Sequence, residues 1–469
     1  MARRERWVML ATLALLQTVT IATGVYAVSN DFSLAALTRE PSHPAEPTAS
    51  PSASLFTAGP VLAQLSSEDG PLPTKGTLTQ QLTGALGDHA LGEHVGAVVL
   101  DAATGERIFA ANADSGVTPA STTKLVTTTA ALSSLGPDAR FSTRVVRGKV
   151  RNSIVLVGGG DPTLAGPAAK NGAYYPRNAS LATLAQRTAA SLKARGLTKV
   201  TLSYDASLYS GSPIGPGWKP GYIPDGNVAP VYALAIDEGR ANPAQSRPRV
   251  SNPPAYAAAS FAKLLAKYGI AVSRTINAGK AGAGAEQLGV VDSAPLYALV
   301  EHALTFSDND LSEALARHVA IKEGLPASFQ GGAQAVTQVL KRLGLAKGVL
   351  VNDGSGLSPR NRISADSLAR VIALASSSAH PELHAVASGM PVAGFSGTLG
   401  NGRRFIEKDA KPQVGLVRAK TGTLNNVNTL AGMATTKDGR LVTFAFMADK
   451  VPLNAEPVLD RLAAIVARS

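Results

Sequence analysis

A hydroxyl group and an amine stand three residues apart in the segment Ser121-Thr-Thr-Lys124. Pro119 lies just before this segment and the helical pattern VTTTAALSSL follows it, so we predict a helix that begins at or near Ser121. Residues three apart share a helix face. Burial or a neighbouring cation would lower the pKa of Lys124, and the helix N-terminus would stabilise negative charge developing on Ser121. The spacing predicts a serine nucleophile with a lysine base.

The same Ser-x-x-Lys spacing occurs a second time, at Ser260 and Lys263. A pattern of two fixed residue types is expected about once by chance in a chain of this length, so the spacing alone does not identify a site. Ser260 and Lys263 belong to an amphipathic helical pattern with no other catalytic residue types around them. We interpret this copy as a solvated helix face.

Two further short motifs supply residue types that complete such a site. Ser307-Asp-Asn309 opens the helix-like segment NDLSEALARHVA, where an N-cap explains it equally well because Ser, Asp and Asn all accept from first-turn amides. Lys420-Thr-Gly-Thr423 ends the strand-like segment VGLVRA and offers a cation, hydroxyls and a glycine that permits close backbone approach. Each motif is weak alone. In this order along the chain, the three motifs together predict a serine acyl-transfer site.

Two other patterns point to different chemistry and are weaker. His380-Pro-Glu-Leu-His384 has the spacing of metal ligands, but its proline breaks the helix that would align both rings. A Ser-His-Asp hydrolase would carry a Gly-x-Ser-x-Gly elbow, and the segment GFSGT around Ser396 lacks the final glycine. The glycines at 158–160 lack the spacing of a phosphate-binding loop. We therefore predict no metal site and no cofactor.

Composition narrows the class of protein. The chain has 469 residues, of which 45% are hydrophobic and 17% charged, enough for two or three folded units. It contains no cysteine, which excludes disulfides, thiolate metal sites and cysteine nucleophiles. Its formal net charge of +12 favours anionic surroundings, which leaves nucleic acid, anionic lipid and anionic wall polymer open.

The N-terminal segment indicates which of these anionic surroundings the protein meets. A basic start followed by an uncharged apolar stretch predicts a signal peptide or a membrane anchor over residues 1–29. Residues 30–75 are rich in Pro, Ala, Ser and Thr and predict a disordered linker. Both alternatives place the rest outside the cytoplasm, secreted or tethered to the outer face of the cytoplasmic membrane and facing the cell wall. We therefore expect no nucleic-acid partner, and membrane contact only through the N-terminal segment.

The remaining chain predicts an α/β protein of the α+β type. Strand-like runs near both ends and a closing helix over residues 455–467 indicate one antiparallel sheet, built from the two chain ends and flanked by helices. We assign residues 76–146 and 293–469 to this domain. Residues 147–292 predict a smaller inserted α/β domain, because helix-like and strand-like segments there surround a Pro/Gly-rich stretch.

In its three motifs the chain resembles the penicillin-recognising serine enzymes. It resembles more closely the low-molecular-mass penicillin-binding proteins of the class C type, which are D-alanyl-D-alanine carboxypeptidases and endopeptidases. The resemblance covers residues 76–469 and includes GGDPTL at 159–164, DGSGLS at 353–358 and FSGTL at 395–399. It implies a penicillin-binding-protein/β-lactamase-like transpeptidase domain, with an inserted domain between the Ser-x-x-Lys and Ser-x-Asn motifs.

The resemblance also implies a role for each residue of the first two motifs. Ser121 would be the acylated nucleophile and Lys124 its base. Ser307 and Asn309 would relay a proton and hold the substrate amide.

The third motif is implied to bind the end of the substrate. Lys420, Thr421 and Thr423 would hold the terminal carboxylate, with Gly422 allowing close approach. The backbone amides of Ser121 and Thr423 would form the oxyanion hole.

Two substrate contacts are implied outside the motifs. Asp161 is a candidate to bind the amino end of the stem peptide's diamino acid. Related proteins often carry Arg directly after Gly-Leu-Ser, whereas here Pro359 follows Ser358 and the cation is Arg360. Arg360 becomes the candidate at that place, and selectivity for the side chain of the third stem residue stays open.

These inferences predict a serine-type D-Ala-D-Ala carboxypeptidase or endopeptidase that acts on peptidoglycan stem peptides through an acyl-enzyme. β-Lactams would acylate the same serine. Two alternatives stay open at this point. One is a β-lactamase or esterase of the same fold, for which the sequence identifies no deacylating carboxylate. The other is a wall-binding or penicillin-sensing protein that is acylated without useful turnover.

Overall fold

The computed structural model describes residues 70–169, 175–400 and 402–469. The predicted signal or anchor segment at 1–29 lies outside these residues, as does the predicted linker up to residue 69. Within the described residues, no helix combines the length and the apolar character that a membrane crossing requires.

The strands are numbered in chain order. They are β1 (His94–Asp101), β2 (Arg107–Ala111), β3 (Gly116–Val117), β4 (Ser142–Arg147), β5 (Ser153–Val157), β6 (Lys199–Asp205), β7 (Ala271–Val272), β8 (Asn277–Ala278), β9 (Gln287–Asp292), β10 (Val349–Leu350), β11 (Arg362–Ser364), β12 (Val417–Leu424), β13 (Val427–Thr435) and β14 (Leu441–Asp449).

The α-helices follow the same order. They are α1 (Lys75–Leu86), α2 (Thr123–Leu135), α3 (Leu181–Lys193), α4 (Pro253–Lys267), α5 (Leu296–Thr305), α6 (Asn309–Lys322), α7 (Phe329–Arg342), α8 (Ala365–Ser376), α9 (His384–Gly389) and α10 (Glu456–Ala467).

A five-stranded antiparallel sheet forms the centre of the larger domain, in the order β12-β13-β14-β1-β2. Strand β1 pairs with β14, so strands near the two ends of the described chain lie side by side. Along β1, Ala97 and Val99 enter one hydrophobic core, whereas Val98 and Leu100 enter the other. This alternation follows from the two-residue period of a strand and means that both faces of the sheet are buried.

Helices cover both faces of this sheet. Helices α1 and α10 pack on one face, and α2 with α5 to α9 pack on the other. The predicted antiparallel sheet flanked by helices is therefore confirmed. A small sheet in the order β10-β11-β3 ties residues 349–364 to the segment just before Ser121.

The inserted region forms a second sheet in the order β7-β6-β5-β4-β9, with β8 also paired to β6. Strands β5 and β6 are parallel and α3 connects them, as a crossover requires. The chain enters through β4 and leaves through β9, which are antiparallel neighbours. The inserted sheet therefore begins at Ser142, before the predicted boundary at residue 147, because the entering strand pairs with the leaving one.

The second Ser-x-x-Lys copy lies on α4 of the inserted region. Ser260 is buried, whereas Lys263 is exposed. The interpretation of this copy as a solvated helix face is thus wrong for Ser260, which packs beside Phe261 and its apolar neighbours because it falls on the buried stripe of the helix.

Candidate active site

Ser121 lies in a 3-10 turn, Ala120–Thr122, that leads directly into α2. Ala120 adopts a φ of +48°, in the left-handed region that alanine seldom enters, so surrounding contacts hold this turn. The α-helix starts just after Ser121, close to the predicted position, and places Lys124 in its first turn.

The Lys124 ammonium is fully buried and donates to three oxygens. Its Nζ lies 3.0 Å from Ser121 Oγ, 2.6 Å from Asn309 Oδ1 and 2.7 Å from the Ser355 carbonyl oxygen. Burial lowers the pKa of Lys124 to about 8, although nearby carboxylates, Asp308 foremost, oppose this shift. A fraction of Lys124 is therefore neutral near neutral pH and can take the Ser121 proton.

A second buried lysine faces the second serine. Lys420 Nζ donates to Ser307 Oγ at 2.9 Å and to the Thr421 carbonyl oxygen at 2.9 Å. Burial lowers the pKa of Lys420 well below its ordinary value, and the positive charge of Lys124 lowers it further. The structure therefore brings the lysines of the first and third motifs into one site, each beside a serine hydroxyl.

The Ser-x-Asn motif serves two purposes at once. Asp308 is the N-cap of α6, and its Oδ1 accepts from the Leu311 amide at 2.9 Å. The flanking Ser307 and Asn309 face the two lysines. The capping interpretation thus holds for the middle residue, and the outer residues belong to the site.

Strand β12 approaches the nucleophile through its glycine. A Cβ atom at Gly422 would lie 2.6 Å from the Pro119 carbonyl oxygen and 2.2 Å from Thr429 Oγ1. Any side chain there would push β12 away from the turn that carries Ser121. Glycine at this place therefore lets β12 pack closely against that turn. The predicted close approach to a substrate stays a prediction.

The two hydroxyls of the third motif have different surroundings. Thr421 is buried, and its Oγ1 lies 2.7 Å from Thr398 Oγ1. Thr423 is exposed, and its Oγ1 donates to Glu456 Oε1 at 3.1 Å. Thr423 is thus the hydroxyl of this motif that faces solvent.

The turn at 353–356 completes the surroundings of Lys124. Glu313 is buried on α6 and accepts from the amides of Gly354 at 3.1 Å and Ser355 at 2.9 Å. Gly356 has a φ of +89°, and a Cβ there would lie 1.9 Å from the Ala120 carbonyl oxygen. The motifs alone did not single out Glu313 or the Ser355 carbonyl. Glu313 stands four residues after Asn309 on one helix face, which is a signal that the sequence offered.

Asp161 is buried in the loop that follows β5, within electrostatic range of Asp308. Its carboxylate is buried, and Oδ1 accepts from the Thr163 amide at 2.9 Å and from Thr163 Oγ1 at 2.6 Å. Burial raises the pKa of Asp161 to about 6. Asp161 Oδ2 has no hydrogen-bond partner among the described residues. The assignment of Asp161 as a substrate contact stays a prediction.

A cavity of about 360 Å³ lies between the end of β12 and the inserted region. Thr118, three residues before the nucleophile, forms part of its wall. Arg360 is exposed beside Gly217 and is not among the lining residues, whereas Arg362 is one of them. The charged and polar residues in the lining are Thr118, Lys219, Tyr222, Arg362, Asn425, Asn426, Asp449 and Lys450.

Three side chains among the described residues have ligand atoms close enough together to hold a metal ion: Glu238, His302 and Asp308. Arg240 already forms an ion pair with Glu238, and His302 Nε2 lies 3.6 Å from Asp308 Oδ2. The guanidinium of Arg240 thus faces one of these carboxylates, and the imidazole of His302 lies near the other. The rings of His380 and His384 contact Glu382 and the Ser377 carbonyl oxygen instead of each other.

Comparison with known proteins agrees with the motifs. The model of the D-Ala-D-Ala carboxypeptidase 3 (S13) family matches residues 78–248 and 240–468. The chain is 37% identical over 397 residues to Carboxypeptidase Rv3627c of Mycobacterium tuberculosis, covering 83% of this chain and 84% of that protein. It is 35% identical over 399 residues to Carboxypeptidase DacB of Mycolicibacterium smegmatis, covering 84% and 85%.

The fold is similar to that of penicillin binding protein 4 from Haemophilus influenzae. The TM-score is 0.67 at 24% identity, over 84% of this chain and 98% of that one. A structure of the same protein with a β-lactam bound is similar over the same shares of the two chains, with a TM-score of 0.63 at 23% identity. The predicted family and the transpeptidase-like fold are confirmed.

We expect the pKa of Lys124 to set the pH dependence of acylation. Lys124 must be neutral to accept the Ser121 proton, so the second-order acylation rate constant should rise with pH and level off above about 8. Below that pKa the rate constant should fall about tenfold per pH unit. Stopped-flow measurement with a penicillin between pH 5 and 10 checks this profile.

The matched variant is Asp308→Asn, which keeps the cap on α6 and removes the negative charge that raises the pKa of Lys124 most. Its profile should reach the plateau at lower pH than that of the wild type. A rate constant that does not change over this range would contradict the assignment of Lys124 as the base.

Proposed function

This chain belongs to the D-Ala-D-Ala carboxypeptidase 3 (S13) family and is a serine-type D-alanyl-D-alanine carboxypeptidase, and on that premise we propose that its reaction is carried out by Ser121, Lys124, Ser307, Asn309 and Lys420. The observation that carries this proposal is the 3.0 Å contact between Lys124 Nζ and Ser121 Oγ inside a buried site. It places a base whose pKa is about 8 beside a hydroxyl at the start of a helix.

The first step is acylation. Neutral Lys124 takes the proton of Ser121 Oγ, and this oxygen attacks the carbonyl carbon of the amide that joins the two D-Ala residues. The negative charge that develops on the carbonyl oxygen accepts hydrogen bonds from the amides of Ser121 and Thr423. The side-chain amide of Asn309 binds both Lys124 and the substrate amide, and so fixes their positions relative to each other.

The second step releases the products. The C–N bond breaks, and the proton held by Lys124 passes through Ser307 to the amine of the departing D-Ala. Lys420 donates to Ser307 and so keeps its oxygen turned towards this transfer. Water then attacks the ester and Lys124 takes one of its protons. Lys124 passes this proton to Ser121 Oγ as the ester C–O bond breaks, and the peptide leaves with a new carboxylate.

We assign peptidoglycan stem peptides as the substrate and β-lactams as acylating inhibitors. The cavity at the end of β12 has Thr118, three residues before Ser121, in its wall. Its three cationic side chains, Lys219, Arg362 and Lys450, outnumber its one carboxylate, Asp449, which suits the acidic groups of a stem peptide. The penicillin binding protein 4 of Haemophilus influenzae, whose fold is similar, binds a β-lactam. In this assignment Arg362 takes the place that the sequence suggested for Arg360.

A β-lactamase needs a carboxylate that activates water for fast deacylation. Among the described residues, Lys124 is the side chain that bonds to Ser121, and no carboxylate does so. Glu313, the acid nearest in sequence to the Ser-x-Asn motif that faces the turn, is bound to backbone amides. This favours the carboxypeptidase over the β-lactamase of the same fold.

We also propose that the protein works outside the cytoplasm, facing the cell wall. The basic start and the apolar stretch at residues 1–29 support this location, and so does the net charge of +12 beside anionic wall polymers. Cell fractionation should recover the protein with the membrane or in the medium. Recovery in the cytosol would contradict the location.

Replacing the nucleophile should abolish covalent labelling. Ser121→Ala removes the only oxygen that our assignment allows to be acylated, so a fluorescent penicillin should no longer label the protein. Ser260→Ala, in the other Ser-x-x-Lys copy, should leave labelling unchanged. Gel fluorescence of the two purified variants measures both, and loss of labelling in Ser260→Ala alone would refute the assignment.

The products separate the candidate functions. The purified full-length protein, incubated with pentapeptide muropeptides, should shorten them to tetrapeptides and release free D-Ala, as seen by mass spectrometry. Ser121→Ala is the matched control and should leave them intact. Rapid penicillin hydrolysis with intact pentapeptides would indicate a β-lactamase, and acylation without any product would indicate a sensor.

A further inference from the structure

The side-chain amide of Asn309 has a partner at each end. Its Oδ1 accepts from Lys124 Nζ at 2.6 Å, and its Nδ2 donates to the Asn227 carbonyl oxygen at 2.8 Å. A turn of this amide by half a revolution would bring two donors together at Lys124 and two acceptors together at Asn227. The Asn227 carbonyl, which belongs to the inserted region, therefore favours the same orientation of Asn309 that Lys124 requires.

Buried contacts hold the backbone on both sides of Asn227. The Gly226 carbonyl oxygen accepts from Arg249 Nη2 at 2.9 Å. Three residues after Gly226, the Ala229 amide donates to Asp310 Oδ1 at 2.8 Å. The segment 226–229 is thus fixed at one end by an arginine and at the other by the residue that follows Asn309.

Arg249 connects the segment 226–229 to Asp310. Its Nη1 donates to Asp310 Oδ2 at 3.0 Å and also to the Glu238 carbonyl oxygen, while Nε donates to the Ser246 carbonyl oxygen at 2.8 Å. The side chains of Arg249 and Asp310 are only 3% and 7% exposed. The planar guanidinium spans the inserted region and the first turn of α6 in one fixed geometry, which a single ammonium group cannot reproduce.

We propose that Arg249 is a positioning residue of the acylation step: it fixes the segment 226–229 against Asp310, and the Asn227 carbonyl then keeps Asn309 turned towards Lys124. The role of the inserted region would accordingly be to complete the active site of the enclosing domain. The inference rests on the proposed function, because it assumes that Lys124 activates Ser121.

The experiment measures acylation of the full chain by benzylpenicillin in a stopped-flow instrument, which separates the non-covalent dissociation constant from the acylation rate constant. In Arg249→Met the acylation rate constant should fall by about 100-fold, the size of effect expected when a catalytic group is displaced by about 1 Å. The dissociation constant should change little, because Arg249 is buried and its hydrogen bonds go to Asp310 and to backbone carbonyl oxygens.

Two further variants separate positioning from folding. Arg249→Lys keeps a positive charge beside Asp310 but cannot hold the Gly226 carbonyl as well, so it should remain folded by circular dichroism and still acylate more slowly than the wild type. Arg195→Met is the control, since Arg195 belongs to an exposed ion pair with Glu286 elsewhere in the inserted region. It should acylate like the wild type.

A double-mutant cycle with Asn309→Ala tests whether Arg249 acts through Asn309. If Arg249 acts through Asn309, the Arg249→Met change should have little further effect once Asn309 is alanine. Effects that multiply would overturn the proposal, as would a folded Arg249→Lys variant with the wild-type acylation rate constant. Failure of the wild-type protein to be acylated would instead overturn the proposed function.

Discussion

The burial of two lysine ammonium groups is the constraint on which the site depends. Removing a cation from water is costly unless oxygen acceptors replace the lost hydration. Lys124 receives these acceptors from a serine one helical turn away, from Asn309 and from the Ser355 carbonyl. The same burial that threatens stability lowers the pKa of Lys124 into the range of a base. The contacts that satisfy the buried charge of Lys124 are therefore also the contacts that hold it beside Ser121 as a candidate base.

The acceptors come from separate elements, so the fold has to bring these together. Pairing of β1 with β14 closes the sheet from both chain ends, and β12 then lies at its edge. Glycine at 422 lets that edge meet the turn before the nucleophile, and Gly356 lets the 353–356 turn meet the same place from another side. Because Gly422 and Gly356 lack side chains, β12, the 353–356 turn and the turn that carries Ser121 can pack within a few ångströms of one another.

The buried carboxylates at the start of α6 face cationic side chains from both the enclosing domain and the inserted region. The first turns of α6 carry Asp308, Asp310 and Glu313, all buried. Arg249 faces Asp310 from the inserted region, whereas Arg317 on the same helix faces Glu313. An insertion without any of the three motifs therefore supplies a counter-charge to the helix that begins at the site, and its removal would leave a buried carboxylate unpaired.

Residue type and local spacing were enough to identify the family, the antiparallel sheet with its insertion, and the pairing of Ser121 with Lys124. The motifs and the Ser121–Lys124 pair depend on neighbours within a few positions. The sheet and the insertion follow from the periods of strands and helices. The individual side-chain contacts that distant segments make with one another could not be obtained in this way. Only the tertiary structure showed that Asp161 is turned inward, that Arg362 and not Arg360 lines the cavity, that Ser260 is buried, and that the Asn227 carbonyl meets Asn309. Each of these depends on which side of an element packs inward, and packing of remote segments decides that.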